Sequence, residues 1–240
     1  ERYTWFGSFV WYVVFATTAY YTVVMSWILY YMVLSITGGY IGVERWALFD
    51  SVSNGNPVVI LIFLGLMILG SYFAYSGVKA IEDTTKYFLP ILFLALIVVA
   101  IRSVTLKNAV QGLNYLFAFN LKDLFNSKVW LEAIAQASWS AGPGWGICIA
   151  YGVYAKKNSD ATLTTIIQGL GDMTVATLAA LAVVPSLFAM IASPDLVMEI
   201  LNSGNNGLAF VGLTNAFESM PGGMIMSTLF FLALLLAGFT

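Results

Sequence analysis

Two features of this sequence place chemistry where an apolar chain has least use for it. The first is Ser140-Ala141-Gly142-Pro143-Gly144-Trp145-Gly146, at the centre of an apolar run. Glycine and proline at that density cannot hold a regular helix. In hydrocarbon every freed N–H and C=O needs a partner, so such a break persists where backbone lines a cavity. There it can bind an ion or a substrate, with half-helix dipoles aimed at the bound charges. The plainer alternative is a proline kink, since both residues are commoner in membrane helices than in soluble ones. The second feature is Asp172, inside another apolar run. An acid there costs about 3 kcal/mol on insertion scales and is a functional candidate by default. Its carboxylate suits a hard cation such as sodium, and a hydrogen-bonded or protonated structural acid is the alternative. Gln136 and Ser140 stand four apart, so they share a helix face just before the break and can face Asp172. Interhelical polar glue explains that pair equally well. The first apolar run carries Thr17, Thr18, Tyr20, Tyr21, Ser26, Trp27, Tyr30 and Tyr31, and the mid-run hydroxyls of Tyr20 and Tyr21 need partners.

Composition decides what kind of scaffold must hold these groups. Apolar residues make up 60% of the 240-residue chain and charged residues 9%. A soluble domain carries about 25% charged residues, so this chain could not coat a surface with charge. The sequence describes an integral membrane protein. The net charge of −2, without a basic block, argues against a nucleic-acid partner. The absence of histidine removes Ser-His-Asp and Cys-His catalysis and His-ligated metals. Cys148, the single cysteine, cannot form a disulfide framework or CxxC redox pair within the chain.

Six spans are predicted. They run over about 7–36, 57–78, 87–104, 129–155, 161–191 and from Pro221 to the end, the fourth interrupted by the Gly-Pro-Gly break. Pro57 suits a helix start, where its missing N–H costs nothing. A loop with Glu44, Arg45 and Asp50 follows the first span, and a charged connector, Lys79 to Lys86, precedes the third. The stretch 107–128 suits an external loop with short helices. The amphipathic segment 194–220, broken near Asn202 to Gly207, suits two short helices over the protein face. Lysine and arginine divide evenly between the two sets of loops, so charge does not set the orientation. Glu1 in place of Met and the uncharged run Met224 to Thr240 suggest a piece of a longer protein.

Read in order, the motifs resemble those of the neurotransmitter:sodium symporter family, in particular its bacterial amino-acid transporters. Tyr20-Tyr21 through Ser26-Trp27 is similar to that family's third helix. Gly112-Leu113-Asn114-Tyr115-Leu116, Val129-Trp130 and Gln136 resemble the loop before its sixth helix and that helix's start. Ala237-Gly238-Phe239-Thr240 resembles the middle of its eighth. The chain would cover helices three to eight of about twelve. The resemblance implies a leucine-transporter-like inverted-repeat fold, all-α and only partly represented, with substrate and sodium at the midplane. Residues 1–106 would supply the last three helices of the first repeat and 129–240 the first three of the second. Residues 107–128 and 194–220 would lie outside, and the Glu1 end would be cytoplasmic.

The resemblance also implies roles. Tyr21 falls where the family's tyrosine binds the substrate carboxylate, and Thr17 joins the substrate-binding set. Trp139 falls at an aromatic lid; Gly142 and Trp145 line the substrate side chain at the break. Ser140, also in the substrate set, falls at a hydroxyl ligand of a first sodium. Asp172 falls where the family usually has an asparagine ligand of that ion. Ala237 and Thr240 fall at ligands of a second sodium, through a carbonyl and a hydroxyl. Gln136 falls near the outer gate and chloride site, and Ala176 where chloride-dependent members carry serine. Asp172 then supplies the charge that chloride would otherwise provide, so one or two sodium ions are expected and chloride is not. Trp139 and Trp145 are bulkier than the family's usual phenylalanines.

The expected protein is a sodium-coupled symporter of amino acids or related small zwitterions in the cell membrane, multi-pass, with a homodimer possible. It is not expected to be an enzyme. Two alternatives stand beside it. Gly169-Leu170-Gly171-Asp172 spells the GxGD of intramembrane aspartyl proteases, whose chemistry needs a second carboxylate. A broken helix also suits a channel or a non-transporting relative.

Overall fold

The structure is a computed structural model that describes residues 3–142, 145–155 and 158–239. Twelve helices are described: α1 (Thr4–Thr37), α2 (Arg45–Ser53), α3 (Pro57–Ser76), α4 (Val78–Val104), α5 (Ala109–Leu116), α6 (Ser127–Ala141), α7 (Ile147–Tyr154), α8 (Ala161–Met190), α9 (Pro194–Asn202), the single turn α10 (Gly204–Asn206), α11 (Leu213–Ser219) and α12 (Gly223–Phe239). A 3₁₀ turn spans Leu121–Phe125, and a π-helical stretch, Gly207–Gly212, joins α10 to α11. Among the described residues, α1, α3, α4 and α8 are long and apolar enough to cross a membrane, and α12 is a shorter apolar helix.

The predicted spans match these helices closely, with two corrections. The charged connector Lys79 to Lys86 is helical and forms the first turns of α4. Charge does not oppose helix formation where side chains reach water, so hydropathy marked the span and missed its extension. The loop after α1 contains α2, whose start is set by Glu44. Its carboxylate accepts from the N–H groups of Trp46 (3.0 Å) and Ala47 (2.5 Å). Those two donors hold the Glu44 carboxyl below its ordinary range. A carboxylate with a lowered folded pKa contributes above its unfolded value of 4.5 and loses that contribution as pH falls through the folded value. The protection of the Trp46 and Ala47 amides, measured against their intrinsic exchange rates, should therefore fall in acid; unchanged protection below pH 4.5 would contradict this cap.

The residues divide into two compact units: 1–20 with 118–177, and 21–117 with 178–240. In the second unit α12 packs along α4, and the π-helical stretch packs on α2, α9 and α11. Aromatic rings fill its centre. Phe210 stacks on Phe49 (5.6 Å) and Phe231 (6.0 Å), with Tyr31 at 5.0 Å and Trp27 edge-on at 6.1 Å. Where helices meet, small polar residues also pair within the apolar core. Ser35 of α1 meets Ser227 of α12 at 2.6 Å, and Ser186 of α8 donates to Ser103 of α4 at 2.8 Å, all four buried. Such interhelical bonds contribute about 0.6 kcal/mol. Ser186→Ala should lower stability by about that amount, seen as a small drop in thermal midpoint in detergent. A loss several times larger would mean that more than this bond was removed.

Candidate functional site

The first unit contains the broken helix. α6 ends at Ala141, and Gly142 follows with φ +68°, a left-handed conformation that glycine adopts without strain. The Trp145 N–H returns to the Gly142 carbonyl at 3.3 Å, Gly146 takes φ +75°, and α7 begins at Ile147. Two helices of one span are thus parted by two left-handed glycines, which is a break and not a kink. Pro143 and Gly144 lie outside the described residues. The end of α6 leaves carbonyls that need donors. Gln168 of α8 supplies one, its Nε2 donating to the Ala141 carbonyl at 3.3 Å. In the sequence Gln168 is a polar residue inside an apolar run. The signal available was a donor one helical turn before Asp172. Gln168→Leu should free that carbonyl and cost about 1 kcal/mol, with faster amide exchange around 142–147 than in α8; equal exchange there would contradict the role.

Several predicted site residues gather in this unit. Gln136 donates to Ser140 Oγ at 3.2 Å, as their four-residue spacing implied. Trp139 meets Trp145 edge-to-face across the break, with ring centroids 4.9 Å apart. Asp172 stands three turns into α8, one turn beyond Gln168, and is exposed, as is Ala176. Thr17 lies in the part of α1 that belongs to this unit and is half-buried. Tyr21 and Ala237 belong to the second unit, on α1 and α12, and both are exposed. Thr240 lies outside the described residues. Gly169-Leu170-Gly171-Asp172 is regular helix within α8.

The model of the Sodium:neurotransmitter symporter family matches residues 42–240. The chain belongs to this family. Its members are multi-pass membrane transporters that use sodium. An uncharacterized sodium-dependent transporter of Methanocaldococcus jannaschii is 29% identical over 98% of this chain and 50% of its own length. A second, from Bacillus subtilis, is 31% identical over 93% of this chain and 48% of its own. Among solved structures, that of MhsT in complex with L-phenylalanine matches with a TM-score of 0.83 at 30% identity, covering 100% of this chain and 53% of the MhsT chain. The chain spans about half the length of the curated relatives it matches. The fold is therefore the one that the sequence resemblance implied, in part, with α6 and α7 as the two halves of its broken helix. The two curated relatives are named as transporters, and neither the protease nor the channel alternative gains support from them.

Proposed function

We propose that the protein carrying this chain is a sodium-coupled symporter of amino acids or related small zwitterions, working by alternating access in the cell membrane, and not an enzyme. The observation that carries this reading is the break between α6 and α7 in a chain of this family. The likeness to MhsT bound to L-phenylalanine supports an amino acid as the substrate class. On this reading residues 1–106 close the first repeat and 129–240 open the second. Tyr21 and Thr17 contact the substrate. The break at Ser140, Gly142 and Trp145 lines its side chain under Trp139, and Gln136 sits toward the outer gate. Ser140 and Asp172 hold one sodium; Ala237 and Thr240 contribute to a second. The Asp172 charge takes the place of chloride near Ala176. The Gln136–Ser140 bond supports this set by fixing the Ser140 hydroxyl on the face that leads into the break. The complete protein is a candidate homodimer.

The test is uptake of labelled amino acids into proteoliposomes holding the complete protein, with sodium or potassium outside. Sodium-driven, saturable accumulation is expected, while flux that neither saturates nor accumulates would favour a channel. The contact between Trp139 and Trp145 gives a specificity prediction. Trp145→Phe removes ring area from a packed pair and should let longer side chains compete about tenfold better, since a methylene in an apolar pocket is worth about 1–3 kcal/mol. An unchanged competition profile would remove Trp145 from the pocket.

A further inference from the structure

Within the second unit, the single ion pair among the described residues lies at the far end of α1. Arg45, the first residue of α2, is 6% exposed. One terminal nitrogen donates to Glu218 Oε2. The other donates to the carbonyl of Tyr40 and, at 2.9 Å, to that of Val43. The guanidinium carbon lies 5.4 Å from the centre of the Tyr40 ring. The second Glu218 oxygen accepts from the Gly42 N–H at 2.7 Å. Gly42 has φ +73°, and no atom lies within 4 Å of where a Cβ would sit, so glycine serves the backbone turn and not a tight contact. One carboxylate therefore ties two points of the 38–45 turn to the end of α11, and the arginine braces the Tyr40 and Val43 carbonyls of that turn.

Among the described residues, the chain between α8 and α12 is otherwise held by apolar contact and by one bond from Arg102 to the Pro221 carbonyl at 3.4 Å. Val197, Ile200, Phe210 and Phe217 are among its buried residues, and Gly207 and Gly212 allow Ser203 and Ile200 of the α9 side to press on the π-helical stretch. Apolar contact is not directional, so it resists separation without fixing register. The ion pair supplies direction. Its members differ in burial, the Arg45 side chain being 7% exposed and that of Glu218 32%. Losing Glu218 would strand a buried charge, whereas losing Arg45 would leave a carboxylate that water can reach.

We propose that Arg45 and Glu218 are a positioning pair, a clasp that fixes the 194–219 arm on the turn between α1 and α2, and that the arm moves only when the clasp opens. The first part concerns this chain's own structure. The second rests on the transport reading, in which an outward-facing arm has to follow the access cycle.

The experiment compares the complete protein with Arg45→Gln, Glu218→Gln, Glu218→Asp and the double variant Arg45→Gln/Glu218→Gln. Hydrogen–deuterium exchange in detergent follows peptides from 204–219, with peptides from α4 as the internal reference. Glu218→Gln should raise exchange in 204–219 roughly tenfold while α4 is unchanged. Arg45→Gln should do so less. The double variant should fall below Glu218→Gln, because it strands no charge. Glu218→Asp should restore part of the protection. Unchanged exchange in 204–219, equal loosening of α4, or a double variant worse than Glu218→Gln would each overturn the clasp. Uptake then separates the two parts. If wild-type protein transports, the clasp variants should change the maximal rate and leave the substrate KM constant. A KM change at constant rate would overturn the second part. If wild-type protein shows no uptake while the exchange pattern holds, the transport reading falls and the clasp stands.

Discussion

Asp172→Asn in the complete protein is expected to weaken sodium activation of uptake about thirtyfold in chloride-free buffer, and to make transport respond to chloride once Ala176→Ser is added. The argument begins with charge. An asparagine oxygen can still coordinate the ion, so ligand number is preserved and only the formal charge is lost. Two unit charges 4 Å apart interact by about 4 kcal/mol at an effective dielectric of 20. If water and the remaining dipoles recover half of that, about 2 kcal/mol is lost, or roughly thirtyfold in affinity. Asp172 is exposed on α8, one turn beyond the glutamine that binds the end of α6. It therefore stands on the same unit as Ser140 and the break. The readout is the sodium concentration for half-maximal uptake, with gluconate replacing chloride. An unchanged value would remove Asp172 from the sodium site. Lost activation that chloride does not restore in the double variant would keep the ligand and reject the charge-replacement idea.

How far the sequence anticipated the structure depends on the range of the force concerned. Helices α1, α3 and α8 follow from apolar runs of bilayer length, and α3 starts where Asn56 caps the Val58 N–H at 3.0 Å ahead of Pro57. The Gln136–Ser140 bond follows from helical spacing alone. The break was legible because glycine and proline act on their own backbone. The misses are of two kinds. α2 and the first turns of α4 carry charge in helices that hydropathy does not score, although Glu44 before α2 offered a capping signal. The Arg45–Glu218 pair, the Ser103–Ser186 bond and the Gln168 bond to Ala141 join residues far apart in the chain. No local pattern encodes such pairs. The site roles of Tyr21, Trp139 and Ala237 came from resemblance and not from spacing, because a tyrosine in an apolar helix looks the same whether it binds substrate or packs.

Gly112→Val is expected to abolish recovery of folded, monodisperse protein, and Gly112→Ala to cost about 3 kcal/mol, while Gly65→Ala is expected to stabilise by about 0.5–1 kcal/mol. Both glycines lie inside helices, α5 and α3, and nothing in their immediate sequence separates them. Their surroundings do. A Cβ on Gly112 would stand 2.6 Å from Pro185 Cα, 2.9 Å from the Val184 carbonyl oxygen and 3.0 Å from Pro185 N. These are backbone atoms in α8, which cannot turn aside as a side chain can. Tyr115 packs on Phe188 beside the same crossing, with ring centroids 5.2 Å apart, so α5 cannot shift away without opening that contact. On Gly65 a Cβ meets nothing within 4 Å, so alanine there only removes glycine's excess unfolded-state freedom. Thermal unfolding in detergent reads both. A fall for Gly112→Ala and a rise for Gly65→Ala follow if close approach of α5 to α8 holds the second unit together. Equal small shifts would mean that α5 is peripheral, and that the glycine of the Gly112-Leu113-Asn114 motif serves something other than helix packing.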